Sequence, residues 1–221
     1  MTDPKQRLTS AQVAELGLDD WRMLFQTLQA CYRTDDFAAA LRLADAVGAA
    51  AEEANHHPDL DLRWGQLGVR LASHDVSGIT DRDVRLARRI TELAAEQGAR
   101  PDPTSVQVLE IALDTADSDR VRPFWRAVLG LSDSKVHEGE LVDGDGILPT
   151  LWFQSTDPHE EPRQRFHLDI RVPPEVAEDR IRAALDAGGT LVSDSHAPTF
   201  WVLADPDGNK ACVTTWQGRS H

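Results

Sequence analysis

Three histidines in the first half of the chain have the residue type and the spacing for proton-transfer chemistry. His56 and His57 are adjacent and precede Pro58, and His74 follows a second strand-like run. The unperturbed pKa of histidine, about 6.5, lets it act as an acid or a base near neutral pH, and a positioned proton transfer contributes roughly 10²–10⁴-fold in rate. An adjacent pair could also be a polar surface cap, or part of a zinc site if further ligands were near. Spacing alone leaves these interpretations open.

The proline after the pair restricts how these side chains can be presented. Pro58 disfavours the helical conformation at His57, so the helix predicted over 35–54 has to end beside the pair. Neighbouring side chains in an extended segment point to opposite sides, and we expect only one of the two histidines to reach into a pocket. His74 is predicted to end a strand over 67–74, on the face opposite the aliphatic side chains of that strand.

The elements that hold these residues belong to the first of two predicted domains. The segment 96–105 contains one Gly and two Pro and separates a helical pattern from a strand-like pattern. We predict domains over 1–98 and 105–221, with a linker at 99–104. In the first domain the predicted helices cover 10–16, 35–54 and 81–98, and the predicted strands cover 21–28, 30–35, 60–64 and 67–74.

The last helix of the first domain has a defined start and a defined apolar face. Thr80 is a suitable N-cap, and Asp83 three residues later forms an acidic variant of the capping box. Adjacent strand pairs alternating with helices predict an α+β fold, with an antiparallel sheet covered by helices on one face. The apolar face of the last helix consists of Val84, Ala87, Ile90, Leu93 and Ala94.

The second half of the chain repeats one pattern twice. A strand over 106–114 is followed by the helical pattern "SDRVRPFWRAVLG" and by strands that end in "LWFQS". The strand "RFHLDIRV" is followed by the helical pattern "PEVAEDRIRAALDAGG" and by the strands "TLVSDS", "FWVLAD" and "KACVTTW". This repetition predicts paired βαβββ modules, whose half-sheets form a cleft that could bind a ligand.

Charge and composition argue against several classes of partner. The formal net charge of -14 disfavours nucleic acid and anionic membranes, because both bind clustered Lys and Arg. The polar N-terminal segment and the lack of an apolar run near 18 residues favour a cytoplasmic protein with no membrane segment. Cys31 and Cys212 are far apart in sequence, and we interpret both as packing residues in a reducing compartment.

The histidines belong to a longer set of spaced residues that resembles a known family, the pterin-4a-carbinolamine dehydratases. The resemblance covers about residues 8–97, and several positions at defined spacing are more specific than any single motif. The matching residues are Trp21, Phe37, Glu52, His56, His57, Pro58, Trp64, His74 and Asp83.

This resemblance implies a reaction and a catalytic group. Such enzymes are lyases that dehydrate a 4a-hydroxytetrahydropterin to the quinonoid dihydropterin. The hydroxide that leaves C4a needs a proton and N5 has to lose one, which requires an acid and a base close together. His56, His57 and His74 would form this group, with no cofactor and no metal ion expected. Which histidine is the acid and which the base stays open.

The resemblance also implies substrate-binding residues. The stretches Asn55–His57 and Ser73–Asp75 would line the pterin site, and Glu52 would hydrogen-bond the pterin or a histidine. Asn55 stands where many relatives carry Asp, so a carboxylate is lost there. Trp64 stands where Tyr is frequent, which keeps an aromatic wall but loses a hydroxyl. The implied substrate-binding set is Glu52, Asn55, Trp64, Ser73 and Asp75.

Residues 105–216 resemble the glyoxalase/bleomycin-resistance superfamily, also called vicinal oxygen chelate proteins. The resemblance rests on the paired modules, on "FWRAVLGL" and on the turn in "LADPDGNKACV". Metal-dependent members carry four His or Glu ligands, and the corresponding positions here hold Glu110, Gln154, His167 and Cys212. A thiol suits Mg²⁺, Mn²⁺ or Ca²⁺ poorly, although zinc is chemically conceivable. We therefore expect no metal, with His167 lining a cleft and Cys212 packing as a small buried side chain.

The remaining tryptophans and histidines of the second half have simpler interpretations. Trp125, Trp152 and Trp201 could wall an aromatic pocket, although Trp125 on its helix suits core packing better. The other histidines lie in polar or terminal contexts and are interpreted as surface residues. These are His137, His159, His196 and His221.

Two alternatives to a dehydratase stay open. Members of the dehydratase family also act as dimerisation cofactors of a transcription factor, so a non-catalytic partner-binding protein is possible. The alanine-rich helix at 35–54 permits close helix approach, which makes a homo-oligomer, a dimer or tetramer, plausible. In the other alternative the main activity lies in the C-terminal half, as a metal-dependent lyase or dioxygenase.

Overall fold

The computed structural model describes residues 5–119, 121–122, 131–158, 166–186, 188–204 and 210–218. The chain divides into two compact units, with the boundary between Val106 and Gln107. Within the described ranges, no helix is long and apolar enough to cross a membrane. Both units mix helices with sheet, which confirms the predicted α+β class.

The first unit contains a five-stranded antiparallel sheet. The strand order is β1-β2-β4-β3, and β5 also pairs with β2. β3 and β4 form the predicted hairpin, and its turn contains Gly65 with φ of +73°, a conformation that a residue without a side chain adopts readily. The strands are β1 (Arg22–Leu24), β2 (Thr27–Arg33), β3 (Asp59–Arg63), β4 (Gln66–Leu71) and β5 (Arg100–Pro101).

Three helices accompany this sheet, each with a definite N-cap. They are α1 (Ser10–Ala14), α2 (Phe37–Ala54) and α3 (Asp81–Glu96). Asp36 caps α2, because its side chain accepts from the N–H of Ala39. Thr80 and Asp83 form the predicted capping box of α3. Thr9 caps α1 with a second capping box, which we did not predict.

The core of the first unit lies between one face of the sheet and the helices. Leu67, Val69 and Leu71 of β4 are buried, as their alternation with more polar residues predicts. They stand opposite Tyr32, Ala30 and Leu28 of β2. The helices complete this core with Leu43 and Val47 of α2 and with Leu86, Ala87, Ile90, Leu93 and Ala94 of α3.

Two predictions for the first unit were wrong in detail. The strand predicted over 21–28 is interrupted by a turn at Phe25 and Gln26, so β2 begins at Thr27 and not at residue 30. The segment predicted as a linker, 99–104, contains β5, which is paired with β2. An ion pair of 2.8 Å between Arg33 and Asp102 holds this segment further.

The second unit contains an eight-stranded mixed sheet built from two modules. The strand order is β11-β12-β13-β10-β6-β9-β8-β7. β6 and β10 are antiparallel at the centre, and each is parallel to the last strand of its own module, β9 or β13. This arrangement confirms the paired βαβββ modules. The strands are β6 (Val108–Thr115), β7 (Ser132–Asp133), β8 (Glu140–Val142), β9 (Thr150–Ser155), β10 (Phe166–Arg171), β11 (Thr190–Ser193), β12 (Phe200–Ala204) and β13 (Lys210–Thr214).

The two faces of this sheet differ in polarity. One face carries two hydrophobic clusters, the first around Leu113, Leu131, Leu141 and Leu151, and the second around Val172, Leu203 and Val213. Ala177 and Ile181 of helix α4 (Pro174–Asp186) belong to the second cluster. Alternation along the strands places Glu110, Asp114, His167, Asp169, Arg171, Cys212 and Thr214 on the opposite face.

Parts of the second-unit prediction lie outside the described residues. Residues 118, 119, 121 and 122 are helical, in agreement with the start of the predicted helix. Most of "FWRAVLGL", including Trp125, and the turn at 205–209 fall outside the described ranges, as do His159 and His221.

Candidate active site

The end of α2 holds His56 inside the first unit. Asn55 is the C-cap of α2 in the left-handed conformation, with φ of 47°, which Asn adopts more readily than most residues. The next N–H, that of His56, donates to the carbonyl of Ala51 at 3.1 Å. The side chain of His56 is 9% exposed and that of His57 is 55% exposed. The prediction that only one of the pair points inward is therefore confirmed.

Asp83 is the partner of His56 and is completely buried. Its Oδ1 lies 2.7 Å from Nε2 of His56, while its Oδ2 accepts from the Ser73 hydroxyl and from the N–H of Thr80, both at 2.7 Å. These donors compensate the burial of an ionised carboxylate. An ionised carboxylate can only accept, so Nε2 of His56 carries the proton of this bond.

The same carboxylate joins the two segments that carry the histidines. Ser73 stands beside His74, in a turn closed by a bridge between Ser73 and Gly78 and containing Ser77 at φ of 50°. Asp83 thereby links the end of α2 to this turn. The prediction that His74 ends a strand was wrong: β4 ends at Leu71, and His74 lies exposed in the turn that follows.

Glu52 and His57 form an exposed pair outside the buried network. Oε1 of Glu52 lies 3.3 Å from Nε2 of His57, and the Glu52 side chain is 81% exposed. Glu52 was predicted to hydrogen-bond either the pterin or a histidine, and it lies beside His57. Asn55 is also exposed, and its structural role is that of the helix cap.

Trp64 does not lie with the histidines of its own chain. It is 77% exposed and stands at the β3–β4 turn, whereas His57 precedes the start of β3. A five-residue strand rises about 3.3 Å per residue, so roughly 13–16 Å separates the two ends of β3. The predicted aromatic wall of the histidine site is therefore not formed by Trp64 within one chain.

Asp75 is held at the surface by two cations. Arg82 donates to it at 2.6 Å, and the ammonium of Lys5 lies 3.3 Å away. The hydrogen bond from Arg82, followed by the contacts of Lys5, lowers the pKa of the Asp75 carboxyl. Asp75 is thus engaged as an ion-pair partner close to the His74 turn.

A cleft of about 420 Å³ opens beside His56, between the C-terminal half of α2 and α3. Its polar lining combines a carboxylate, Glu53, with the guanidinium groups of Arg82, Arg85 and Arg89. Its apolar lining consists of Ala50, Ala54 and Leu86. The volume is within the range of small-molecule sites, and the lining offers both donors and acceptors next to a buried histidine.

In the second unit, two of the four predicted cleft residues are engaged elsewhere. Glu110 is buried and its Oε2 lies 3.5 Å from the guanidinium of Arg171, which is also buried. Gln154 is exposed, and its amide donates to the carbonyl of Ser155 at 3.3 Å. The four-ligand set implied by the vicinal oxygen chelate resemblance therefore does not converge in this chain.

The other two predicted cleft residues, His167 and Cys212, lie together. Nδ1 of His167 is 3.0 Å from Asp114, and Nε2 of His167 is 3.6 Å from Asp169. Cys212 is buried, and burial together with the Asp169 carboxylate raises the pKa of its thiol to about 12. Trp152 packs edge-on against His167 on this face, whereas Trp201 packs into the hydrophobic cluster of the opposite face.

Sequence reasoning missed several partners of the candidate residues. Asp83 was predicted as a helix cap and as a matching position of the family resemblance, but not as the partner of His56, and Asp114, Asp169 and Arg171 were not singled out. The alternation of β10, which puts residues 167, 169 and 171 on one face, could have indicated two of them. As predicted, His196 is exposed, but His137 is half-buried.

Two known families match separate parts of the chain. Residues 6–93 match the family described as pterin 4 alpha carbinolamine dehydratase, and residues 110–214 match the family described as glyoxalase-like domain. Both matches agree with the resemblances found in the sequence.

Several relatives and solved structures are similar to parts of the chain. A protein of Nocardia farcinica that carries the name of a pterin-4-alpha-carbinolamine dehydratase is 43% identical over 89 residues, which cover 39% of this chain and 94% of the relative. A protein of the same name from Thermomicrobium roseum is 36% identical, over 40% of this chain and 98% of the relative. The structure of a transcriptional coactivator/pterin dehydratase from Brucella melitensis is 27% identical, covers 40% of this chain and 99% of its own, and has a TM-score of 0.39. A glyoxalase/bleomycin resistance protein/dioxygenase superfamily member from Vibrio splendidus is 18% identical, covers 50% of this chain and 99% of its own, and has a TM-score of 0.32.

Proposed function

Since the chain belongs to the pterin-4-alpha-carbinolamine dehydratase family through its first unit, we propose that this unit is a hydro-lyase that dehydrates a 4a-hydroxytetrahydropterin to the quinonoid dihydropterin. The observation that carries the proposal is the buried hydrogen bond between His56 and Asp83 at the wall of a ligand-sized cleft. A histidine in this setting is fixed in orientation and tautomer, as a general acid or base has to be.

The reaction needs two proton transfers, and the chain offers three imidazoles for them. His56 is oriented through Nε2, so its Nδ1 is the atom that exchanges a proton with the pterin. His57 and His74 are exposed and belong to the two segments that Asp83 and Ser73 link. One of them supplies or accepts the second proton, either on the hydroxide that leaves C4a or on N5.

The cleft lining suits the polar edge of a pterin. The pyrimidine half of a pterin has a carbonyl oxygen and ring nitrogens that accept hydrogen bonds, and amino and ring N–H groups that donate them. Arg82 and Arg85 can donate hydrogen bonds to the acceptors of the pterin, and the carboxylate of Glu53 can accept hydrogen bonds from its N–H groups. Ala54 and Leu86 leave space for the ring faces. The substrate-binding contribution of Ser73 is indirect in this proposal, because its hydroxyl is bound to Asp83.

The wider biological setting follows from the same assignment. A reducing compartment, the cytoplasm, suits the free cysteines Cys31 and Cys212. The exposed apolar residues Phe37 and Leu41 on α2 are consistent with a homo-oligomer formed through this helix.

The proposal is tested by the turnover of a 4a-hydroxytetrahydropterin, generated in the assay and followed by its ultraviolet absorbance. The purified full chain should accelerate the loss of this compound, and His74→Ala should slow the accelerated rate by roughly 10²–10⁴-fold. His196→Ala, an exposed histidine in the second unit, is the matched control and should leave the rate unchanged. Wild-type protein without turnover would favour the partner-binding alternative and refute the dehydratase assignment.

A further inference from the structure

We propose that the cleft beside His56 contains an oxyanion subsite formed by Arg85 and Arg89, and that the substrate is a pterin whose side chain carries a phosphate group. This subsite rests on the proposed function, since it would define the class of pterin that the same cleft accepts. Both arginines line the cleft, together with Arg82 and His56.

Three arginines of α3 form a row along the cleft. Arg82, Arg85 and Arg89 follow one another at spacings of three and four residues, which places them on one face of the helix. A helix rises about 1.5 Å per residue, so Arg85 lies about 4.5 Å and Arg89 about 10.5 Å along the axis from Arg82. Since Asp83 in the first turn of α3 binds His56, the row leads away from this histidine.

The row passes from the buried end of the cleft to its mouth. The exposed fraction of the side chain is 27% for Arg82, 62% for Arg85 and 47% for Arg89, against 9% for His56. A pterin ring against His56 and Arg82 would therefore direct a side chain past the other two arginines towards solvent. A charged group is placed favourably there, because it has cationic partners and keeps part of its hydration.

The lining of the cleft is positive, although the chain is acidic. Three guanidinium groups face one carboxylate, that of Glu53, whereas the formal net charge of the full chain is -14. The hydrogen-bonding edge of an uncharged pterin ring does not require this excess of positive charge. A phosphate monoester carries about -1.5 to -2 charges at pH 7, and its oxygens match the bidentate geometry of guanidinium groups. The excess of cations in the lining therefore suits a phosphate better than a carboxylate, which carries one charge.

The present ion-pair partners of Arg85 and Arg89 are exposed. Arg85 pairs with Asp81, and Arg89 lies 2.9 Å from Glu92 and 3.6 Å from Glu96. Exposed ion pairs contribute little to stability, and a guanidinium has five N–H donors, so one carboxylate does not occupy all of them. Arg85 can therefore contact both the pterin ring and its side chain, and phosphate binding breaks no buried network.

The facing wall of the cleft leaves space for a side chain. Ala50 and Ala54 of α2 lie across from the arginines, and Leu86 completes the apolar lining. The volume of about 420 Å³ is more than a bicyclic ring fills. The cleft can thus hold the ring at His56 and a phosphorylated side chain at its mouth.

The test compares two stable aromatic pterins that differ only at the end of the side chain, a hydroxyl group or its phosphate monoester. Binding to the full chain is followed by the quenching of pterin fluorescence, which needs no turnover. The phosphorylated pterin should bind about 10–100-fold more tightly, and this preference should shrink at high ionic strength. Arg89→Gln should reduce the ratio of the two dissociation constants by about 3–10-fold.

Arg88→Gln is the matched control for this substitution. It removes the same charge from α3, but Arg88 is exposed, donates to the carbonyl of Leu16 and does not line the cleft. The ratio of dissociation constants should be the same in Arg88→Gln and in the wild type. Equal reductions in the two variants would reveal a general effect of net charge and overturn the subsite.

A third pterin, with a carboxylate in place of the phosphate, distinguishes the two oxyanions. A carboxylate that binds as tightly as the phosphate, or more tightly, would overturn the assignment to phosphate. A phosphorylated pterin that binds no better than the hydroxyl form would overturn the subsite even if the chain turns over a 4a-hydroxytetrahydropterin. A preference for the phosphate in a chain without turnover would support the subsite and refute only the dehydratase assignment.

Discussion

Asp83 has two structural roles at the residue scale, and both depend on its position three residues after Thr80. One oxygen closes the capping box of α3 and binds Ser73, and the other binds His56. The orientation of the buried imidazole is therefore coupled to the start of α3. A change at Asp83 should affect the chemistry and the stability of the first unit together.

Asp83→Asn tests this coupling. The amide has the size of the carboxylate, but one of its two oxygens is replaced by an NH₂ group, which cannot accept a hydrogen bond. Either the bond to His56 or the bonds from Ser73 and Thr80 are therefore lost. We expect turnover to fall by about 10²-fold or more and the pH dependence of kcat/KM to shift. The free energy of unfolding should decrease by about 1–3 kcal/mol.

The matched control for this change is Asp81→Asn on the same turn of α3. Asp81 is exposed and pairs with Arg85, an interaction typically worth about 0–1 kcal/mol. Its replacement should leave kcat and its pH dependence unchanged, and any effect should be confined to KM, because its partner Arg85 lines the cleft. Equal effects of the two substitutions would show that Asp83 acts only as a negative charge in the first turn of α3.

Cys212 gives a prediction for the pH dependence of stability. Burial and the Asp169 carboxylate raise the pKa of the folded thiol to about 12, above its value in the unfolded chain. The folded state therefore holds this proton more tightly, and its contribution to stability is complete below pH about 9 and is lost as the pH rises towards 12. The free energy of unfolding measured between pH 8 and 11 should fall more steeply in the wild type than in Cys212→Ala. Parallel slopes would contradict the shifted pKa.

At the scale of elements, the turns and caps decide where the candidate residues lie. Asn55 ends α2 so that His56 turns inward, and Gly65 closes the β3–β4 hairpin that follows. The alternation in β4 and the Thr80–Asp83 box could be predicted from the sequence, because each pattern depends only on neighbours along the chain. These local patterns position α2, β4 and α3, and with them most of the candidate site.

The features that could not be predicted depend on contacts between distant segments. The turn at Phe25 and Gln26 lacks a Gly or Pro signal, and β5 contains Pro101 in a segment that otherwise reads as a linker. The family resemblance implied that Trp64 accompanies the histidines, but the length of β3 separates them within one chain. The bond between Asp83 and His56 requires the end of α2 to meet the start of α3, which no local pattern reveals.

Replacement by alanine should change the free energy of unfolding in opposite directions at two glycines of the first unit, Gly65 and Gly48. Gly65 has φ of +73°, where a side chain costs about 1–2 kcal/mol, so Gly65→Ala should destabilise the chain by about that amount. Gly48 lies within α2 with open space around an added Cβ, so Gly48→Ala should stabilise by about 0.5–1 kcal/mol. Denaturant unfolding followed by circular dichroism measures both changes. Shifts of the same sign would contradict the assigned backbone conformations.

At the scale of the whole molecule, the chain joins two units whose candidate chemistry differs. The first unit has a cleft lined by His56 and three arginines. The second unit has His167, Asp169 and Cys212 close together on one face of its sheet. The formal net charge of the full chain is -14, a sign that opposes association with polyanions. The connecting segment is tied to the first unit by β5 and by Asp102, whose N–H donates to Cys31.

The measurement that tests the central claim most directly is the rate at which the full chain dehydrates a 4a-hydroxytetrahydropterin when His56 is replaced by alanine. If His56 transfers a proton to or from the pterin, turnover should fall by roughly 10²–10⁴-fold relative to wild type, with circular dichroism unchanged. A folded His56→Ala protein that turns over the pterin at the wild-type rate would contradict the account.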